Sequence, residues 1–429
     1  MTTAVVPDAR QRLQRRTLLI ISLAQIVSGI GTGAVVSTGA LLAVELSGSD
    51  ALAGSVTTTM TLGAAIASAV LMRLAMRRGR RVSLALGLLV AALGAIGIII
   101  AAVLASFWLL IAAGVLIGFG TAVNLQARFA ATDLSAEHRQ ARDLSLVVWM
   151  STVGSVAGPN LLGVGELIAP AFGVPGLAGV FLITTVGMLA GMLIIWFGVR
   201  PDPYLVLTGR AQLPGAPEVV AAERAPQGPV AHAGFRDGLR ALGAHVDTRI
   251  GIIGLVVAHA VMVGVMSVTP VHLTGHGASI VIVGVTVSLH VAGMFALSPV
   301  MGVLTDRYGG RRVAASGLVV LVVAVIVSGY SGAQHWVTIL GLILLGLGWS
   351  AASVASSAMI VAATAVHERV AAQGVSDTLM SLAGAGGGLL AGVALATVGY
   401  AGLGVAAAVV SVGALAAMRW LGRTAAPGH

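Results

Sequence analysis

The chain has 429 residues, of which 57% are hydrophobic and only 9% are charged, a composition typical of proteins that cross a membrane many times. Its net charge is +9, and every basic side chain other than histidine is an arginine. The arginines are neither clustered in one patch nor interleaved with aromatic residues, which argues against a nucleic-acid-binding surface. The absence of cysteine excludes disulfides and thiolate metal sites.

The first predicted element is a membrane-spanning helix that directly follows a polar, basic N-terminal segment. That segment, residues 1–16, lacks a small-residue cleavage site, so it is not expected to be a removable signal peptide. A spanning helix needs about 20 mostly apolar residues, and the chain offers twelve such runs. We place them at 17–44, 51–72, 83–105, 108–129, 144–167, 176–198, 250–271, 279–302, 313–330, 336–361, 374–396 and 401–420.

A polar stretch rich in proline and glycine separates the sixth run from the seventh. It predicts an N-terminal six-helix bundle over 1–199, a cytoplasmic linker over 200–248 and a C-terminal six-helix bundle over 249–429. The halves are related by sequence, because a shift of 230 residues superimposes many identical residues. The pairs are Arg77 and Arg307, Gly79 and Gly309, Arg81 and Arg311, Arg139 and Arg369, Met150 and Met380, Ser151 and Ser381, Gly154 and Gly384, and Gly158 and Gly388.

The arginines also predict the topology. Every loop that contains arginine falls on the side of the N-terminus, so the positive-inside rule places both termini in the cytoplasm. Arginine in place of lysine, with abundant alanine, glycine and valine, is typical of a GC-rich bacterial genome, which indicates the cytoplasmic membrane of a bacterium. Trp108, Trp196, Trp336 and Trp420 lie at the ends of runs, where interfacial anchors are expected.

The loop after the eighth run carries the sequence GVLTDRYGGRR, residues 302–312. It resembles the loop motif of the major facilitator superfamily, in which an aspartate and arginines around a glycine latch neighbouring helices. Asp306, Arg307, Gly309 and Arg311 match this motif.

The first-half copy of the motif keeps Arg77, Gly79 and Arg81 but has Met76 in place of the aspartate, so its latch is either lost or built differently. The resemblance implies an all-α membrane protein with 12 transmembrane helices in two pseudo-symmetric six-helix bundles. It also implies a small-solute site between the halves and alternating access within the lipid bilayer. We expect a monomer.

Ionisable groups inside the runs are the next place to look for a substrate site, because they are costly in hydrocarbon. The carboxylates of Glu45, Asp143, Glu166 and Asp377 all lie at run ends. The sequence GPNLLG, residues 158–163, partly resembles the glycine–proline motif of antiporters, although we favour close helix packing and a proline kink as its explanation.

The fourth run contains Asn124, Gln126 and Arg128 near its inner end. These side chains are candidates for contact with a polar or anionic substrate. Arg128 is alternatively expected to extend to the cytoplasmic interface by snorkelling.

Methionine and histidine form the remaining pattern. The seventh run holds Met262 and Met266, and the eighth holds His290 and Met294, each pair at the i, i+4 spacing that stacks two side chains on one helix face. Thioether and imidazole groups suit Cu(I), and such a site is neutral when empty. His259, one turn before Met262, is a candidate fifth donor. Methionine also fills apolar cores, and the spacing MxxxM recurs at Met72/Met76 and Met188/Met192.

The combination of MxxxM and HxxxM resembles the signature of the CcoA-type copper importers, a branch of the same superfamily. The resemblance implies copper ligation by the four residues, and the 28-residue interval from Met262 to His290 fits it. The cysteines associated with that family are absent. His272 and His276, at the predicted outer end of the seventh run, either collect metal or lie in a solvated loop, and we favour the loop.

The sequence therefore predicts a membrane transporter that moves copper inward through a site of methionine and histidine. The alternative is an efflux pump for drugs or small apolar metabolites, and a third possibility is a receptor that transports nothing. No acid–base pair, nucleophile triad or phosphate loop is recognisable, so we expect neither an enzyme nor a resident cofactor.

Overall fold

The computed structural model describes residues 2–48, 52, 55–213 and 234–424. Within these ranges all regular structure is helical, which confirms the predicted all-α fold. The α-helices are α1 (Thr2–Ser47), α2 (Ser55–Val103), α3 (Phe107–Ala130), α4 (Gln140–Asn160), α5 (Leu162–Ile168), α6 (Gly179–Gly198), α7 (Pro203–Leu207), α8 (Phe235–Ala244), α9 (Val246–Gly275), α10 (Ile280–Phe295), α11 (Ser298–Tyr308), α12 (Gly310–Gly329), α13 (His335–Ala363) and α14 (Val366–Thr424).

The helices account for all twelve predicted runs, although several boundaries differ from the prediction. Helix α1 begins at Thr2 rather than at residue 17. Helices α2 and α14 each contain two runs and bend at Gly79 (φ 87°) and Gly399 (φ 72°), a backbone conformation that only glycine adopts without strain.

Two other runs are interrupted. The fifth breaks between α4 and α5, within the GPNLLG sequence, and the side chains of residues 156–160 lie outside the described part. The eighth breaks between α10 and α11, just before Pro299, which lacks the N–H that a continuous helix requires.

Two compact units make up the chain. Unit 1 comprises residues 1–241 and 364–378, and unit 2 comprises residues 242–363 and 379–429. The first turns of α14 therefore pack with unit 1. The predicted boundaries at 199 and 249 stay a prediction.

Small residues allow the helices of unit 1 to pack closely. A Cβ on Gly63 of α2 would collide with the backbone of Val115 in α3, and one on Gly118 of α3 would collide with Met60 of α2. Close backbone approach of this kind is how helices associate in lipid, where no hydrophobic force drives them together.

Unit 2 has one apolar core, built mainly from α9, α12, α13 and α14. Helices α12 and α13 meet at Gly317 and Gly348, and the core includes Met262 of α9, Met294 of α10 and Trp349 of α13. This core contains Met262 and Met294 of the predicted site, and Met266 packs against it.

The exterior of the helices is apolar as well. Many leucines and valines are exposed on α2, α6 and α14, and among the described residues eight helical segments are long and apolar enough to cross a membrane. Trp108, Trp336 and Trp420 are exposed at helix ends. An apolar surface of this extent is stable only in lipid, so the chain is a multi-pass membrane protein.

Candidate functional site

His290 is held in one orientation by a neighbouring helix. Its ring is fully buried, and its Nδ1 lies 2.8 Å from the backbone carbonyl oxygen of Leu342 in α13. A carbonyl only accepts, so Nδ1 donates and carries the proton of the neutral ring. Nε2 then presents a lone pair, and it is buried without a hydrogen-bond partner among the described residues. A buried imidazole lone pair is a donor suited to binding a copper ion.

A close helix contact fixes the backbone around His290. A Cβ on Gly346 of α13 would collide with the carbonyl oxygen of His290 and lie 2.8 Å from the amide nitrogen of Met294. One turn away, a Cβ on Gly293 would lie 2.7 Å from the carbonyl oxygen of Ile343. Helices α10 and α13 therefore touch backbone to backbone at the HxxxM turn.

The three methionines of the predicted site share the apolar core of unit 2. Met262 and Met294 are buried members of this core, and Met266 packs against it. Helices α9 and α10 pack mainly against α13 rather than against each other. Any site that uses both MxxxM and HxxxM therefore lies beside α13, a neighbour that the sequence patterns did not indicate.

His259 contacts aromatic residues of the same core. Its Nδ1 accepts a 3.1 Å hydrogen bond from the indole N–H of Trp349, and the Trp349 ring is perpendicular to Phe295 with centroids 5.8 Å apart. On its other side, a Cβ on Gly384 of α14 would lie 2.9 Å from Nε2 of His259. Because Nδ1 accepts this hydrogen bond, the proton of the neutral His259 ring lies on Nε2, so the predicted role as a fifth donor would require a change of tautomer.

The copper ligation by Met262, Met266, His290, Met294 and His259 stays a prediction. Among the described residues, no group of three or more histidine, cysteine, aspartate or glutamate side chains is arranged to hold a metal ion. A copper site made of methionine thioethers with one or two histidine imidazoles does not require three or more side chains of those four types.

A buried ion pair in unit 1 was missed by the sequence reasoning. The guanidinium of Arg128 in α3 lies 2.7 Å from Oδ1 of Asp377 in α14, and both side chains are buried. The snorkelling expected for Arg128 is therefore wrong, because an internal carboxylate compensates its charge. An arginine and an aspartate at the ends of apolar runs were the available signal, since buried charges are normally paired.

The other polar residues of the fourth run also face the protein interior. Gln126 is buried and donates a 3.2 Å hydrogen bond to the carbonyl oxygen of Ser68 in α2. This contact gives Gln126 a structural role in joining α2 and α3. A substrate role for Asn124 stays a prediction.

A second buried pair lies nearby in unit 1. The Nε of Arg80 is 2.9 Å from Oδ2 of Asp133, and its Nη2 donates a 2.5 Å hydrogen bond to Oε1 of Gln373 in α14. Gln373 and Asp377 lie one turn apart on α14. Two buried arginines thus hold the first turns of α14 within unit 1.

The loop motif differs between the two copies. In the second half, Arg311 pairs with Asp247 at the start of α9, with 2.5 Å between Nε and Oδ1, and Gly309 has a positive φ of 88°. Asp306 and Arg307 are exposed at the end of α11. In the second half, Arg311 therefore links the motif to α9.

In the first half, a carboxylate from another helix occupies the turn. Asp202 accepts a 2.7 Å hydrogen bond from the backbone N–H of Arg81 and caps the N-terminus of α7. A Cβ on Gly79 would collide with this carboxylate. The exposed Arg210 side chain donates to the backbone carbonyls of Met76 and Arg77. The turn lacks the motif's own aspartate and uses Asp202 instead, so it is built differently rather than lost.

His272 and His276 occupy different environments at the end of α9. His272 is buried, with its ring stacked on Tyr400 at a centroid distance of 4.0 Å. His276 is exposed, and its Nδ1 donates a 2.8 Å hydrogen bond to the carbonyl oxygen of His272. The expectation of a solvated loop is thus wrong for His272, because the helix continues to Gly275 and buries it.

Comparison with protein families gives one match, to the family described as Major Facilitator Superfamily, over residues 21–289 and 251–429. The two overlapping matches together cover nearly the whole described chain. They agree with the internal repeat found by the 230-residue shift.

Among curated proteins, the chain is 35% identical over 419 residues to the uncharacterized MFS-type transporter YdeG of Bacillus subtilis strain 168, covering 96% of this chain and 94% of that protein. It is 30% identical over 376 residues to the riboflavin transporter RfnT of Brucella anthropi, covering 85% of each.

Among solved structures, the chain is similar to the human organic anion transporter MFSD10, with a TM-score of 0.74 and 16% identity over 94% of this chain and 99% of that one. It is also similar to the proton:xylose symporter XylE, with a TM-score of 0.73 and 14% identity over 96% of each. At these identities the likeness concerns the fold alone.

Proposed function

Because the chain belongs to the Major Facilitator Superfamily of membrane transporters, we propose that it imports copper, carried as Cu(I), through a site that includes Met262, Met266, His290 and Met294. The observation that carries the proposal is the unpartnered Nε2 of His290. An unsatisfied polar atom buried in a membrane protein is costly, and a ligand that engages it removes that cost.

The chemistry of the side chains supports a soft cation. Thioether sulfur and neutral imidazole bind Cu(I) well and bring no charge into the apolar core. The filled site would carry a single positive charge, which keeps the desolvation cost low. The absence of cysteine limits the affinity and so favours release, which a carrier requires.

Substitutions of similar volume provide the test. Met262→Leu and Met294→Leu remove sulfur while conserving size, so the core is expected to keep its packing. Uptake of radioactive copper into a host deficient in copper transport should fall to background in the double variant. Met188→Leu is the matched control, because Met188 is buried in unit 1 and belongs to an MxxxM pair without a neighbouring HxxxM.

Copper measured in the purified proteins provides the second readout. The wild-type chain and the Met188→Leu control should retain copper, and the double variant should not. Equal uptake and equal copper content in all three proteins would refute the proposal.

A flat aromatic metabolite such as riboflavin is the second candidate, because the relative RfnT is named a riboflavin transporter. The aromatic group of His259, Phe295 and Trp349 is suited to stacking against such a ring system. Riboflavin uptake into a riboflavin-requiring host distinguishes the two. Uptake that is lost in Phe295→Ala and unaffected by the two Met→Leu changes would favour the flavin.

A further inference from the structure

Two arginines in unit 1 stack on two consecutive aromatic residues at the end of α6. The guanidinium carbon of Arg81 lies 5.1 Å from the ring centroid of Trp196, and that of Arg200 lies 5.8 Å from the centroid of Phe197. Arg200 is further tied to α6 by a hydrogen bond of 3.3 Å from Nε to the carbonyl oxygen of Trp196. Both cations therefore lie at the same end of α6.

Neither arginine is neutralised locally. Within the described part of the chain, no carboxylate oxygen lies within ion-pair distance of the Arg81 or Arg200 guanidinium. The nearby Asp202 is buried and accepts backbone N–H groups from Arg81, Tyr204 and Leu205. A guanidinium stacked on a ring keeps its N–H edge available, and that edge matches the geometry of a phosphate.

The two rings are exposed on the apolar surface of the protein. Trp196 is 38% and Phe197 63% exposed, at the end of a helix that is apolar enough to span a membrane. Exposed tryptophan at such a position lies at the level of lipid headgroups. The arginine distribution predicts this end to be cytoplasmic, where anionic lipids are enriched. A ligand here meets an apolar surface and two cations at once.

We propose that Arg81, Arg200, Trp196 and Phe197 form a binding site for one anionic phospholipid, with its phosphate on the two guanidinium groups and its glycerol and upper acyl chains against the rings. The site is independent of the transported substrate. A lipid is favoured over free phosphate because the apolar rings form half of the site.

The test uses the full-length chain in micelles of an uncharged detergent, titrated with phosphatidylglycerol and followed by native mass spectrometry. Each arginine near an anionic lipid is expected to contribute about fivefold in affinity, so Arg81→Gln and Arg200→Gln together should weaken binding about twenty-five-fold. Arg423→Gln is the matched control, because Arg423 is exposed at the end of α14 and belongs to unit 2, whereas the aromatic pair belongs to unit 1. It should bind phosphatidylglycerol as the wild type does.

Two results would contradict the proposed lipid-binding site. Unchanged binding in the double variant places the lipid elsewhere, and displacement of the lipid by inorganic phosphate identifies the ligand as the free anion. If the double variant does not fold, a photoactivatable phosphatidylglycerol is bound to the wild-type chain and the labelled peptides are mapped. Labels should concentrate on the end of α6, and labels confined to other helices would contradict the proposal.

Discussion

Arg128 donates a 2.7 Å hydrogen bond to Oδ1 of Asp377, and the two side chains, 249 residues apart in the sequence, are both buried in unit 1. The contact joins α3 to the first turns of α14. Charges buried in this way depend on each other, because removing one leaves the other without compensation.

We therefore expect Asp377→Ala to lower the free energy of unfolding by about 3–5 kcal/mol, because it removes the carboxylate that compensates the buried Arg128 guanidinium. Replacing Asp377 by leucine and Arg128 by methionine in the same protein should recover most of the lost free energy of unfolding. Denaturant titration of the purified protein in micelles measures both changes. The control is Arg240→Ala, which breaks the exposed pair between Arg240 and Asp237 and should cost about 1 kcal/mol or less. Equal losses at the two pairs would contradict the assignment.

The sequence predicted the helices well because each spanning run is long and continuously apolar. It could not predict the interior pairs, since Arg128 and Asp377 come from distant helices that no local pattern links. The same limit applies at the candidate site. The spacing of His290 and Met294 was visible in the sequence, whereas the carbonyl group of Leu342, which sets the orientation of His290, follows only from the packing of α10 against α13.

The first-half copy of the loop motif shows a further limit of prediction from the sequence. Met76 at the position of the expected aspartate indicated that the latch was lost or changed. Asp202 lies far along the chain and belongs to no recognised motif, yet it supplies the carboxylate. A missing motif residue therefore identifies where a substitute is needed without identifying the substitute.

Gly346 tests the helix contact that positions His290. A methyl group on Gly346 would collide with the carbonyl oxygen of His290, so Gly346→Ala must separate α10 from α13. We expect a loss of about 1–3 kcal/mol in the free energy of unfolding, as for other overpacked sites. The matched control is Gly392→Ala, because nothing lies within 4 Å of a Cβ at Gly392. Thermal unfolding in micelles should separate the two variants, and equal midpoints would contradict the contact.

Trp349 tests the hydrogen bond to His259. Trp349→Phe keeps an aromatic ring in the core but removes the indole N–H that donates to Nδ1 of His259. The expected cost is about 0.5–1.5 kcal/mol in the free energy of unfolding. Trp336→Phe, at an exposed position, should have no measurable effect on stability. If Trp349→Phe were as stable as Trp336→Phe, the hydrogen bond would contribute nothing.

Asp202 tests the alternative turn of the first half. Its carboxylate caps α7, so Asp202→Ala should cost about 0.5–2 kcal/mol in the free energy of unfolding. Asp202→Asn should retain most of the stability, because asparagine caps a helix as well as aspartate does. Denaturant titration of the two variants makes the comparison. A loss as large for asparagine as for alanine would show that charge, rather than capping, makes Asp202 necessary.

The two membrane histidines are expected to have opposite tautomers. His290 donates through Nδ1 to Leu342, which leaves its proton off Nε2, whereas His259 accepts at Nδ1 from Trp349, which requires its proton on Nε2. Nitrogen NMR of ¹⁵N-histidine-labelled protein at neutral pH distinguishes the tautomers, with His290→Asn and His259→Asn assigning the two signals. Addition of Cu(I) should shift the Nε2 signal of His290, and a copper chelator should reverse that shift. The same tautomer at both positions would contradict the structure, while opposite tautomers with no copper-induced shift would contradict only the proposed copper site.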